Sequence, residues 1–144
     1  MNYTEVKNLV KLAQDLDIDK SELFTEIDSQ NENFEVDNYK FITHDEAVEE
    51  VSNMYQCDNY LLGCFNADFI SDVTNIDWRV IEALQKAEAF SELGMLILDY
   101  LDNDLTELSE EYIRLDGYGH ALNSYDGNYS EITLNGIDYI YFRV

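Results

Sequence analysis

Ser130-Glu131-Ile132-Thr133-Leu134-Asn135-Gly136-Ile137-Asp138-Tyr139-Ile140-Tyr141-Phe142 decides the fold class. Two runs rich in β-branched and aromatic residues flank Asn135-Gly136. That dipeptide supplies the two positive-φ positions of a type I′ turn, whose twist matches paired strands. The stretch predicts an antiparallel hairpin. Just upstream, Tyr125-Asp126-Gly127-Asn128 reads as another turn, and the chain from Tyr118 onward reads as strands.

Before Tyr118 the apolar period is helical. Leu105, Leu108, Tyr112 and Leu115 mark a helix that ends at Gly117. Leu93, Leu96, Ile97, Tyr100 and Leu101 stripe another, either continuous across Ser91 or kinked near Gly94. Trp78, Ile81, Leu84, Ala87 and Phe90 stripe the one before it, capped by Asn75 or Asp77. Tyr60 to Ala67 is too apolar for a surface loop and reads as a buried helix running to about Ile70. Thr43 with Glu46 forms a capping box that opens a helix. Its apolar face holds Ala47, Val48, Val51, Met54 and Tyr55. Its other face holds Asp45, Glu46, Glu49 and Glu50. Tyr39–Ile42 reads as a short strand, and 28–33 as a polar loop. Ser21–Ile27 and Thr4–Leu16 are the first helical pieces. The sum is an α+β fold, a helical N-terminal two-thirds followed by a small antiparallel β-sheet with a C-terminal hairpin.

The chain has 144 residues, 46% of them apolar, which suits a single domain over 1–144, helical over about 1–117 and β over about 118–144. No run of about 18 apolar residues is present, so no segment is expected to span a bilayer. Met1-Asn2-Tyr3-Thr4-Glu5-Val6-Lys7 has no basic start followed by an apolar stretch, unlike a signal peptide. Two Cys and no Pro offer no disulfide framework. The expectation is a reduced protein of the cytoplasm.

Charge is the outstanding property. There are 31 acids against 8 bases, a formal net charge of −23. Direct binding to nucleic acid is excluded as a function class, because it needs Lys and Arg to neutralise phosphates. An anionic membrane surface is disfavoured likewise. Duplex DNA carries one charge per roughly 1.7 Å, so this charge equals that on about 12 base pairs. The acids are unevenly placed. From Lys40 to Arg79 no cation intervenes, and Asp45, Glu46, Glu49, Glu50, Asp58, Asp68, Asp72 and Asp77 lie between. From Lys86 to Arg114 the same holds, with Glu88, Glu92, Asp99, Asp102, Asp104, Glu107, Glu110 and Glu111.

Other constellations are weaker. Asp15-x-Asp17-x-Asp19 with Glu26 imitates a calcium loop, but Lys20 stands where the sharp turn needs Gly. Leu16 and Ile18 there look like core. Cys57 and Cys64 are spaced too widely for a zinc pair and read as buried thiols. His120 could act as a base near Ser124 or Asp126, yet a His beside glycines is more often structural. No phosphate-cradling or dinucleotide glycine pattern occurs. No cofactor, metal or catalytic residue is expected. The glycines of Gly117-Tyr118-Gly119-His120 and Tyr125-Asp126-Gly127-Asn128 suit positive-φ positions between helix and sheet.

Two stretches carry a resemblance. Asp77-Trp78-Arg79-Val80-Ile81-Glu82-Ala83-Leu84-Gln85-Lys86-Ala87 resembles the NWxxxEAFxxA helix of the ArdA antirestriction proteins. Glu111-Tyr112-Ile113-Arg114-Leu115-Asp116-Gly117-Tyr118-Gly119-His120-Ala121-Leu122 is similar to their YIDYEAYGRDL segment, with His120 where that pattern has Arg. Leu62-Gly63-Cys64-Phe65-Asn66-Ala67 and Gly117-Tyr118-Gly119-His120 also resemble segments of small acidic bacteriophage proteins of unassigned function. The ArdA resemblance implies an acidic mimic of B-form DNA that occupies the DNA groove of type I restriction enzymes.

The expected function is therefore a phage or mobile-element inhibitor that occludes the DNA-binding cleft of a host defence nuclease, of restriction or CRISPR type. Its partner would be a basic DNA-binding protein, met through Asp45, Glu46, Glu49, Glu50, Asp99, Asp102, Asp104, Glu107, Glu110 and Glu111. A homodimer is compatible with this reading. The alternative is a protein-interaction module that uses Tyr118, Tyr125, Tyr129 and Tyr141 as exposed anchors. A small enzyme around His120 is the third.

Overall fold

The computed structural model describes all residues, Met1–Val144. It is α+β, with eight helices and one four-stranded antiparallel sheet. The chain divides into two compact units, Met1–Ala47 with Asp116–Val144, and Val48–Leu115. No helix is long and apolar enough to cross a membrane.

The first unit holds the sheet. Helix α1 (Tyr3–Leu16) opens with a capping box in which Asn2 and Glu5 bond each other's backbone N–H. Helix α2 (Lys20–Asp28) is capped by Asp19, which accepts from Glu22 N at 2.9 Å. The calcium-like triplet is thus divided: Asp17 ends α1 at φ 55° and Asp19 starts α2. Strands β1 (Asn33–Val36) and β2 (Tyr39–Ile42) form one hairpin, β3 (Ser130–Leu134) and β4 (Ile137–Arg143) another. Their order β1-β2-β4-β3 joins the hairpins through β2 and β4, with Phe41 opposite Tyr141. Asn135 and Gly136 both take positive φ, as a type I′ turn requires.

Two readings change here. The loop read over 28–33 is shorter, since Asp28 ends α2 and Asn33 begins a strand, β1, which alternates exposed and buried residues. Tyr118–Leu122 is helical and not strand. Helix α8 (Thr106–Leu122) breaks at Gly117, at φ 83° and ψ 160°, and then resumes. Under one face of the sheet, α1 and α2 bury Leu9, Leu12, Leu23 and Ile27 against Phe34, Phe41, Leu134 and Tyr139. Phe34, Phe41 and Tyr141 form a stacked row, with centroids 5.1 and 5.4 Å apart. Leu16 and Ile18 sit partly buried at this core's margin.

The second unit is helical. It contains most of α3 (His44–Gln56), then α4 (Asn59–Gly63), α5 (Ala67–Thr74), α6 (Trp78–Lys86), α7 (Phe90–Tyr100) and the first part of α8. The apolar stretch expected as one helix to Ile70 is two: α4 ends at Gly63 with Cys64 as its C-cap, and Asn66 caps α5. Asp77 caps α6, while Asn75 is the left-handed end of α5. Helices α6 and α7 are separate, parted at Glu88 with φ 57°. Helices α4 and α7 cross in near backbone contact. A Cβ on Gly94 would lie 1.9 Å from Asn59 O, and one on Gly63 2.0 Å from Phe90 O. Leu62, Ile70, Ile81, Leu93, Ile97 and Leu108 fill the core. Beside it Tyr55, Phe65, Phe69 and Tyr112 pack ring to ring.

Several residues expected inside are outside. Trp78 is 52% exposed and Leu115 55%, and Ala87 is exposed as well. Cys57 and Cys64 are exposed free thiols, Cys57 just past the end of α3 and Cys64 at the C-cap of α4.

Candidate functional site

Helix α3 builds the clearest acidic surface. Thr43 Oγ1 accepts from Glu46 N at 3.4 Å, a loose start to the cap. Ala47, Val48 and Val51 are buried, while Asp45 and Glu49 are exposed and Glu46 and Glu50 half-buried. The helical period puts 45 beside 49 and 46 beside 50, about 6 Å apart. Asp45, Glu46 and Glu49 enter no ion pair. Their charge therefore faces solvent uncancelled.

The second predicted tract is more divided. Asp99, Asp102, Glu107 and Glu110 are exposed at the end of α7, in its following turn and on α8. Asp104 is engaged in the fold. Its Oδ1 accepts from Thr106 Oγ1 at 2.6 Å and Thr106 N at 3.0 Å. These bonds hold its pKa below the usual carboxylate value, the hydroxyl contributing most. Glu111 is held by both Arg114 nitrogens in a fork, and this bond likewise lowers its pKa. Asp77 is lowered further, to about 2, chiefly by the Arg79 side chain and then its backbone N–H. Six of the ten predicted partner residues, Asp45, Glu46, Glu49, Asp99, Asp102 and Glu107, are thus presented with no structural task visible in their surroundings. Across the two units the charge is nearly even. The first has 16 acids and 5 bases, hence −11, and the second 15 and 3, hence −12. The clustering along the sequence does not become a concentration in one unit.

The tyrosines named as anchors separate into two kinds. Tyr125 is 61% exposed and Tyr129 42%. Tyr118 and Tyr141 are half-buried and act within the fold. Tyr118 Oη lies 2.6 Å from His44 Nδ1, and its ring meets Tyr129 edge-on at 5.4 Å. Burial, with Glu131 and Tyr129 nearby, raises its pKa. Tyr139 is fully buried, donates to Asn31 O at 2.7 Å and is pushed up to about 12 by that burial first.

His120 is exposed and lies 3.9 Å from Asp116, across the break in α8 at Gly117. Gly117 and Gly127 do take positive φ. Gly119 does not: it is small because a Cβ would lie 1.9 Å from Gly127 O. That contact pins the 123–129 loop. Asn123, buried, donates from Nδ2 to Asp126 Oδ1 at 2.6 Å and Asn128 O at 2.7 Å. Its Oδ1 accepts from Tyr125 N at 3.0 Å. Comparison with known protein families, characterised proteins and solved structures gives no match. Sequence reasoning missed Tyr39 and Arg143, which the sheet register sets opposite each other beside this loop.

Proposed function

We propose that this chain is an acidic DNA-mimic inhibitor, of phage or mobile-element origin, that occludes the DNA-binding cleft of a host defence nuclease of restriction or CRISPR type. The observation that carries the reading is the sidedness of α3. Three carboxylates with no ion pair stand on its outer face while Ala47, Val48 and Val51 are buried on the other. Carboxylates at this spacing replace phosphates at the Lys and Arg of a DNA-binding groove. Net charge of −23 steers the chain to such a groove. The site of action would be the host cytoplasm, and neither a catalytic step nor a cofactor is part of the reading.

The test is protection. A host carrying a restriction or CRISPR-type nuclease is challenged with unmodified phage, with and without the chain. Raised plating efficiency that is lost on joint neutralisation of Asp45, Glu46, Glu49 and Glu50 supports the reading. Equal plating across a panel of such nucleases contradicts it. A second reading, a module that binds through aromatic anchors, is favoured by the exposure of Tyr125 and Tyr129 on a pinned loop. Salt separates the two. Binding by a mimic weakens steeply as salt rises, and binding by aromatic anchors changes little.

A further inference from the structure

Within the first unit, the aromatic face of the sheet runs out beyond Leu16, the last residue of α1. The pinned 123–129 loop stands on the far side. Between them lies a cleft of about 410 Å³. Tyr39, Tyr125, Tyr129 and Tyr141 line it, with Arg143 and Asp126. Its size is that of small-molecule sites, and its walls come from three distant parts of the chain.

Arg143 gives the cleft its chemistry. It is exposed, and its guanidinium carbon lies 5.4 Å from the centroid of the Tyr125 ring. In a chain with 31 acids it makes no ion pair. The carboxylate lining the cleft, Asp126, is turned to the loop: its Oδ1 accepts from Asn123 Nδ2 and from Asn128 N at 2.9 Å. A guanidinium held over a ring face by cation–π attraction makes no hydrogen bond there, so its N–H fork is left for another partner. That fork matches the paired oxygens of a carboxylate or phosphate. The remaining tyrosine faces suit a flat apolar body. The loop is held by four hydrogen bonds of Asn123 and Asp126 and by the Gly119–Gly127 contact, so the walls stand ready before anything binds.

We propose that this cleft binds a small ligand that joins a planar aromatic ring to a carboxylate or phosphate, the anion on Arg143 and the ring between tyrosines. The site is independent of the α3 ridge, and its test does not require the nuclease.

The experiment is an NMR titration of the full chain with phenyl phosphate, benzylamine and inorganic phosphate. Phenyl phosphate is expected to shift the amide signals of Tyr39, Tyr125, Tyr129, Tyr141 and Arg143, and to bind at least about tenfold more tightly than either control. Arg143→Gln should weaken it about tenfold or more, and Arg143→Lys, which keeps the charge but not the fork, should fall between. Unmoved signals at the cleft with phenyl phosphate would overturn the proposal. So would tighter binding of benzylamine, which would make the cleft a cation cage, or equal affinity in parent and Arg143→Gln.

Discussion

At the residue scale, small side chains and short acids decide local structure, and each gives a measurable consequence. Gly94 permits α7 to lie against Asn59 O, so Gly94→Ala must push backbone away. Overpacking of this kind costs about 1–3 kcal/mol, and here the obstacle is main chain and not a flexible tip. Chemical denaturation is expected to show a loss at the upper end of that range. Exposed Met95→Ala, the adjacent control, should stay within about 1 kcal/mol of the parent. Asp77 offers a pH test. Its pKa in the fold is about 2, below the ordinary 3.8, so its contribution to the α6 cap is present above the ordinary value and is lost as pH falls through about 2. The Asp77 carboxyl carbon should titrate near pH 2 by NMR, and in Arg79→Gln its midpoint should rise. Cys57 and Cys64 were expected buried and are exposed, so both should take up iodoacetamide in the native protein. A mass increase of two adducts without denaturant is the expected reading.

At the element scale, the legible parts were those with a strong period or a strong turn. The Asn135-Gly136 hairpin and helices α1 and α3 carry either alternation or a 3.6-residue stripe, and these stand where the sequence puts them, as does α8 up to Gly117. Strand β1 was hidden because Asn33-Phe34-Glu35-Val36 has only two apolar residues among amides and acids. Its pairing with β2 rescues it, a tertiary gain that no local propensity reports. Tyr118–Leu122 misled for the opposite reason. Gly117 breaks the helix sharply enough to look like an end, and the following tyrosine and glycine look like strand and turn. Trp78 read as core because it falls on the α6 stripe, but it is the first residue of its helix and lies outside. Of the candidate site, the acids were readable from spacing; the bonds that engage Asp104 and Glu111 were not, since they depend on side-chain geometry. The Tyr39–Arg143 juxtaposition needed the β2–β4 register.

The α3 ridge makes its own prediction. Joint substitution of Asp45→Asn, Glu46→Gln, Glu49→Gln and Glu50→Gln removes like-charge pairs at i, i+4, each costing a few tenths of a kcal/mol. It also removes two acids from the first turn, which favour the helix N-terminus by similar amounts. The two effects offset, so the melting temperature should change by no more than a few degrees. Affinity for the target should not be spared. Asp45, Glu46 and Glu49 each contribute about 0.5 kcal/mol as surface pairs, hence about 1.5 kcal/mol in all, or about tenfold. Glu49→Gln alone should barely register.

At the scale of the whole molecule, −11 and −12 on the two units mean that each carries its own self-repulsion. Added salt should therefore stabilise the protein, with the thermal midpoint rising as sodium chloride increases. The same salt should weaken the interaction with a basic groove, because phosphate-like contacts are screened. The central claim is that the exposed carboxylates stand in for DNA phosphates. The most direct measurement is displacement of a labelled duplex from a purified type I restriction enzyme, using the parent chain and variants neutralised at both acidic tracts, at low and high salt. The account predicts displacement by the parent at low salt, about tenfold weaker displacement on loss of the α3 ridge alone, and further loss with both tracts. Displacement by the doubly neutralised variant as effective as that of the parent would contradict it.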